Sequence, residues 1–192
     1  MEATINMING VDLNRLGQTI KAVQEDPELA VFRFHINNKW IDCGYNQTEI
    51  KNFYGTKQVI ERKEPFIVAN DEPDVLLGQD SAPNPVENLL HALAGCLTTS
   101  MVYHAAAKGY EIEQVSSRLE GELDLRGFLG IDPTVRAGYK NIRVCFKIEG
   151  NLSEEEKQDI LELTKFSPVF DMVSNKVPVM LSLENEIAEI DC

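Results

Sequence analysis

The stretch from Asn84 to Gly109 constrains this chain more than any other, because residue type alone marks where one long helix starts and stops. Asn84 is a favoured N-cap, and Pro85 suits the first helical position, where its missing N–H would be unpaired anyway. Glu87 stands where a capping-box carboxylate reaches back to the cap. From there Leu89, Leu90, Leu93, Leu97, Met101 and Val102 recur at helical spacing, with Ala92, Ala94, Gly95, Ala105, Ala106 and Ala107 supplying small contact surface. Gly109 stops the run. The expectation is a central helix of roughly two dozen residues, largely buried. It is not a membrane span, because His91, Thr98, Thr99, Ser100 and His104 would sit in hydrocarbon.

Cys96 falls about three turns inside this helix, beyond the first turn over which the macrodipole acts on a thiol. His91 and His104 lie roughly 140° and 80° round the helix from it at about 100° per residue, so neither serves as its base within the helix. The i, i+4 ligand pair of helical zinc motifs is absent as well. Unpaired cysteine is often buried for packing alone, so the residues leave two readings of Cys96 open, a structural thiol and a reactive one.

The rest of the chain reads as strands around two helices. Short apolar or alternating segments run from Val31 to Ile36, Trp40 to Tyr45, Gln58 to Ile60 and Pro65 to Ala69, and Asn37-Asn38 is expected to turn the first two into a hairpin. Val115 to Leu125 and Tyr139 to Ile148 read as longer strands, with Ile142, Val144, Phe146 and Ile148 on one face and Arg143, Cys145 and Lys147 on the other. Arg126 to Gly138 between them, rich in Gly and containing Asp132-Pro133, is a loop or an irregular hairpin tip. Ser153 with Glu156 opens a second helix by another capping box, Pro168 ends or kinks it, and Ser167 caps the restart. A final strand is expected from Val177 to Leu183. The fold class is α+β, a layered structure without internal repeats.

Composition fits one domain with a sizeable core, at 192 residues, 43% hydrophobic and 26% charged. A net charge of −13 repels phosphate backbones and anionic lipid, which argues against nucleic acid and membrane surfaces as partners. Residues 1–30 are expected as an amphipathic helical extension, with Leu16, Ile20 and Val23 on one stripe and Asp26-Pro27 as its end; no basic-then-apolar leader is visible, which favours the cytoplasm. Cys43, Cys96, Cys145 and Cys192 show no paired metal spacing and read as free thiols. Trp40, Phe166 and Phe170 are expected in the core or in a pocket wall.

Asn84-Pro85-Val86-Glu87, Leu89-Leu90 and Ala92-Leu93-Ala94-Gly95-Cys96 together resemble the central-helix signature of the OsmC/Ohr family, the thiol-dependent organic hydroperoxide reductases. Leu119-Glu120-Gly121-Glu122-Leu123-Asp124, Ser167-Pro168-Val169-Phe170 and Asn175-Lys176-Val177-Pro178-Val179 follow the family's order of elements. Phe32-Arg33-Phe34, Trp40, Asp71-Glu72-Pro73 and Leu76-Leu77-Gly78 are similar to the OsmC-like branch. The resemblance covers roughly residues 31 to 185, so that residues 31–192 form an OsmC-like domain behind the extension. It implies antiparallel sheets packed with two long helices, in an intertwined homodimer with active sites at the subunit boundary.

The chemistry implied is reduction of organic hydroperoxides with no metal or organic cofactor. Cys96 takes the position of the attacking thiol, and the second cysteine of the family's pair stands where this chain has Ser167, so an external thiol reductant is expected to close the cycle. The family's activating glutamate matches Glu87, and its arginine, which stabilises the thiolate, has Arg33 as first candidate and Arg62 as second. The alternative is a degenerate member that binds a small apolar or redox-sensitive ligand without turnover, and weaker still is a structural stress protein.

Overall fold

The structure, a computed structural model, describes residues 6–183. It opens with a hairpin of β1 (Met7–Ile8) and β2 (Val11–Asp12), closed by Asn9-Gly10 with φ of 52° and 76°. Two positive φ values in a two-residue loop are what Asn-Gly tolerates best. The Asp12 carboxylate then caps α1 (Leu13–Glu25), accepting from the backbone N–H groups of Asn14 and Arg15 at 3.0 and 3.1 Å. The expected N-terminal helix is therefore shorter than residues 1–30: the Asn9-Gly10 turn and the Asp12 cap fix its start at Leu13, while Met1 to Ile5 lie outside the described residues. Its end is as expected, at Asp26, which also caps a 3-10 turn over Pro27–Ala30.

Two three-stranded antiparallel sheets follow. One has the order β3 (Arg33–Phe34), β6 (Phe53–Gly55), β7 (Gln58–Ile60), and the other β4 (Asn37–Asp42), β5 (Tyr45–Ile50), β8 (Phe66–Asn70). Asn37-Asn38 does not make the expected turn, because Asn38 is paired opposite Thr48 within β4 and donates from Nδ2 to Asn46 Oδ1 and Thr48 Oγ1, each at 2.8 Å. The turn falls at Cys43-Gly44, with Cys43 at φ 44°. A Cβ on Gly44 would stand 2.8 Å from Glu72 Cγ. β3 pairs instead with β6.

A single carboxylate organises the loop that leads into the central helix. Asp71, 2% exposed, accepts from Ser81 Oγ (2.7 Å), Ser81 N (3.0 Å), Glu72 N (2.8 Å) and Gln79 N (3.3 Å). These donors, the Ser81 hydroxyl foremost, hold its carboxyl below the usual carboxylate range. α2 (Pro85–Lys108) begins two residues after Pro83 with the capping box in place: Asn84 Oδ1 accepts from Glu87 N at 2.8 Å, and Glu87 Oε2 accepts from Asn84 N at 2.9 Å. Gly109, at φ 85°, ends it.

β9 (Gln114–Glu122) and β10 (Asn141–Glu149) form an antiparallel ladder with Asn141 opposite Glu122 and Glu149 opposite Gln114. Ile142, Val144, Phe146 and Ile148 turn inward while Arg143, Cys145 and Lys147 are exposed, as their alternation required. The loop between them carries the short α3 (Leu125–Phe128). α4 (Glu154–Glu162) starts at the Ser153 capping box, passes into a 3-10 turn over Leu163–Phe166, and restarts as α5 (Pro168–Ser174) with Ser167 as cap. Met101 and Ala105 of α2 meet Ile160 and Leu163 in the core, with Tyr110, Ile112, Val115, Phe146 and Ile148 packed against them. Asn9 ties the first hairpin to this unit, donating from Nδ2 to Tyr110 O (2.9 Å) and accepting from Ile112 N (2.8 Å).

Three expectations are overturned by exposure. Residues 177–183 form no strand: Val177 to Leu183 have no ladder partner among the described residues, and Met180 is 95% exposed. The central helix buries one face, through Leu93, Leu97, Met101, Ala105 and Ala106, while Leu89 and Tyr103 stay open, because the chain supplies packing elements on that face only. Trp40 is neither core nor pocket wall: it is 68% exposed, its indole N–H donating to Cys43 O at 3.0 Å. The seven buried apolar residues all lie between Leu93 and Leu163, so neither three-stranded sheet contributes one among the described residues. The accessible surface is 14801 Å². A folded monomer of 21.6 kDa would expose roughly 9,000 Å². No helix among the described residues is long and apolar enough to cross a membrane.

Candidate functional site

Cys96 is half-buried, and its thiol has no hydrogen-bond partner among the described residues. On an α-helix, residues seven before and three before it, Leu89 and Leu93, lie within about 20° and 60° of its direction, and Tyr103 on the other side within about 20°. Ala92 and Thr99, also on this side, are exposed. The thiol thus stands on the open side of the central helix, about 140° and 180° round from the buried Met101 and Ala105.

Ser167 joins the Leu163–Phe166 turn to α5, and both of these elements pack on α2. Phe166, immediately before it, stacks on His104 with ring centroids 4.3 Å apart and planes 24° apart. Phe170, three residues after it, lines a groove shared with Leu89 and Leu93. Along the helix axis His104 is about 12 Å beyond Cys96 and Leu93 about 4.5 Å before it, so the two α2 residues associated with this segment lie on either side of the level of Cys96. Ser167 itself is 1% exposed, accepts from Phe170 N at 3.1 Å through Oγ, and donates its own N–H to Thr164 O at 2.9 Å. The hydroxyl is therefore committed to capping α5.

The groove between α2, the start of β10 and α5 encloses about 470 Å³. Leu89, Leu93, Ile142, Val144 and Phe170 form its apolar walls, and Arg136 and Lys140 stand at its edge. Tyr139 closes one end, donating from its hydroxyl to Val86 O at 3.0 Å, with its pKa raised by burial first and by the Glu87 charge second. Sequence reasoning left Arg136 inside a Gly-rich loop, where nothing in the sequence sets it apart from Arg126.

The other sequence candidates are placed elsewhere. Glu87 is held in the capping box, and at nine residues before Cys96 it points about 180° away from the thiol on the helix. Arg33 lies over the Tyr54 ring at 5.0 Å. Arg62 donates to Lys51 O at 2.6 Å and covers the rings of Phe53 and Phe66 at 5.0 and 5.2 Å. Neither guanidinium is bonded to Cys96 within the described residues of one chain. Cys43 donates to Leu77 O at 3.0 Å, Cys145 is exposed on the charged face of β10, and Cys192 lies outside the described residues. His91 is exposed, and no cluster of ligand residues able to hold a metal ion occurs among the described residues.

Residues 78–182, more than half of the chain, match the family model described as OsmC-like protein. Among solved structures, an OsmC-like protein from Mycoplasma pneumoniae aligns over 75% of this chain and 89% of its own, with 17% identity and a TM-score of 0.57. An OsmC-like protein of unknown function from Vibrio cholerae aligns over 71% and 90%, with 12% identity and a TM-score of 0.52. A Psychrobacter arcticus protein named for osmotic stress induction and a detoxification response aligns over 70% and 83%, with 14% identity and a TM-score of 0.51. At these identities the likeness is one of fold. None of the curated proteins compared matches the sequence.

Proposed function

This chain belongs to the OsmC-like protein family, and from that premise we propose that it reduces organic hydroperoxides, with Cys96 as the attacking thiol. The observation that supports the reading is the half-buried, unbonded Cys96 on the same side of α2 as Leu89 and Leu93, which wall an apolar groove. The Cys96 thiolate attacks the terminal oxygen of the hydroperoxide, the O–O bond breaks, and the departing alkoxide takes a proton to leave as the alcohol. Cys96 is left as a sulfenic acid. Ser167 has no sulfur with which to condense, so an external thiol attacks the sulfenic sulfur and releases water, and a second equivalent frees Cys96 from the mixed disulfide. Neither step draws on a metal or organic cofactor.

The groups that activate the thiol are part of the proposal. Arg33 and Arg62 remain the two guanidinium candidates, reaching Cys96 from a second copy, and Glu87, which fixes the helix start, is proposed to hold that guanidinium. A homodimer is supported by the surface area, which exceeds that of a folded monomer of this mass by several thousand Å², the scale buried in obligate dimers. The exposed Phe34, Trp40 and Phe66 and the unpaired Val177 to Leu183 are the apolar surface it would cover. The net charge of −13 disfavours nucleic acid and anionic membrane surfaces as partners, and a cytoplasmic location is part of the proposal.

The test is Cys96→Ser in a cumene hydroperoxide consumption assay with a small-molecule thiol as reductant. Consumption is expected to vanish with the fold intact, since a hydroxyl fits the helix but is a far weaker nucleophile at neutral pH. Unchanged turnover would remove the assignment. A second reading, a member that binds ligand without turnover, is favoured by the Ser167 hydroxyl being spent on a helix cap and Glu87 facing away from the thiol. It predicts that wild-type Cys96 resists oxidation by cumene hydroperoxide.

A further inference from the structure

Of all the helices, α1 draws the least support from its own chain. It lies outside residues 78–182, the part that matches the family model, and none of its residues is buried. Its main neighbours are β2 and the 3-10 turn over Pro27–Ala30, the segments next to it in sequence. Yet Leu13, Leu16, Ile20 and Val23 fall within about 80° of one another round the helix, a single apolar stripe in which Ile20 is 49% exposed. A helix of thirteen residues is marginal in water and depends on packing of its apolar side, the more so with Gly17 in its interior and no acid in its first turn.

Both of its ends are tied down. Asn9, in the hairpin before it, bonds Tyr110 O and Ile112 N just beyond α2. After its last turn Asp26 and Glu28 pair with Lys57 at 2.6 and 3.0 Å. Lys57 stands in the β6–β7 turn, where Thr56 and Lys57 take φ of 50° and 63°, a conformation that costs energy for residues with a Cβ, and the ion pairs hold it. The helix is therefore a strap about 20 Å long, fixed at both ends, whose apolar stripe stays partly open.

Area and charge say what covers it. The accessible surface exceeds that of a folded monomer of this mass by several thousand Å², which is the scale a second copy would bury. With Arg15 and Lys21 against Glu25, α1 carries a net charge of +1 in a chain of −13, and the Arg15 guanidinium makes no ion pair among the described residues. A basic strap is complementary to the acidic surface of another copy. We infer that α1 is a clasp, its stripe of Leu13, Leu16, Ile20 and Val23 docking on a second copy of this chain. The inference rests on the homodimer of the proposed function and is independent of the chemistry at Cys96.

Mixing isotope-labelled and unlabelled full-length chains and following the mixed dimer by native mass spectrometry gives the rate of subunit exchange. Ile20→Asp is expected to exchange at least tenfold faster than the wild type, and Ile20→Leu within twofold of it. Gln18→Asp makes the same change of charge about 180° round from the stripe and is expected to stay within twofold. Val23→Asp serves as a second variant should circular dichroism show the Ile20 one unfolded. Wild-type exchange in the folded Ile20→Asp variant, or equal acceleration by Gln18→Asp, would overturn the clasp and leave the dimer standing. A wild-type monomer at every concentration would overturn the homodimer and the clasp with it, whereas loss of the hydroperoxide reading in the Cys96→Ser assay would touch neither.

Discussion

Replacing Ser167 by cysteine tests whether the turn before α5 faces the thiol of the central helix. In the reduced variant the cap is lost: Ser167 Oγ no longer accepts from Phe170 N, which costs about 1 kcal/mol for a serine cap. The thiol fits a site that is 1% exposed, since sulfur replaces oxygen on the same Cβ. On oxidation, a bond from Cys96 closes a loop of roughly seventy residues, and chain entropy puts its stabilisation at about 4 kcal/mol. Relative to wild type the oxidised variant should therefore gain about 3 kcal/mol, or roughly 6–12 °C in melting temperature for a domain of this size. The reduced form should lose roughly 2–4 °C. The assay is thermal unfolding with and without reductant after one equivalent of cumene hydroperoxide, together with non-reducing peptide mapping. A well-folded variant that forms no bond between positions 96 and 167 would refute the reasoning, because the stacking of Phe166 on His104 and the seat of Phe170 by Leu93 would then not bring the two side chains together. A stoichiometric native disulfide between Cys96 and another cysteine of the wild type would refute the external-thiol route.

Three further outcomes are expected. Ile160→Ala, at a site with no exposed surface packed on Met101, Ala105 and Leu163, should cost about 2–5 kcal/mol in denaturant unfolding, and a loss below 1 kcal/mol would contradict the core described above. Asp124, whose pKa is lowered to about 2 by the Arg126 guanidinium first and the Arg126 backbone N–H next, is a carboxylate with a depressed folded pKa. Its contribution is present above the ordinary aspartate pKa near 3.8 and is lost as pH falls through about 2; a carboxyl NMR titration of Asp124 with its midpoint at or above 3.8 would break that account. Light scattering should give twice the mass of one chain at every dilution accessible, and a concentration-independent monomer would remove the second copy from which Arg33 or Arg62 must reach Cys96.

Local chemistry decided where the helices begin and end. Asn84 with Glu87, Ser153 with Glu156, Ser167 before Pro168 and Gly109 are each caps made by residues within a few positions of one another, so they are legible without knowing the fold and all are found as expected. The same holds for the alternation of β10 and for Cys96 within the central helix, which the family's motif singled out. Strand partners were not legible. β3 pairs with β6 rather than β4, and Asn38 lies opposite Thr48, because side chains ten and more residues away compete with the local turn preference of Asn37-Asn38.

The final element escaped for a related reason. Val177 to Leu183 has a strand's composition, but a strand exists only where an edge is offered, and one chain offers it none among the described residues. Burial followed the same rule: apolar spacing pointed to a largely buried α2, but only the packing of β9, α4, the Leu163–Phe166 turn and α5 against it decided that Leu93, Leu97 and Met101 are covered and Leu89 and Tyr103 are not. The groove was beyond sequence altogether, since its apolar walls come from residues as far apart as Leu89 and Phe170. Short-range hydrogen bonds and caps are properties of neighbouring residues and so are written in the sequence; coverage, pairing and charge balance are properties of distant ones, and only the tertiary structure settles them.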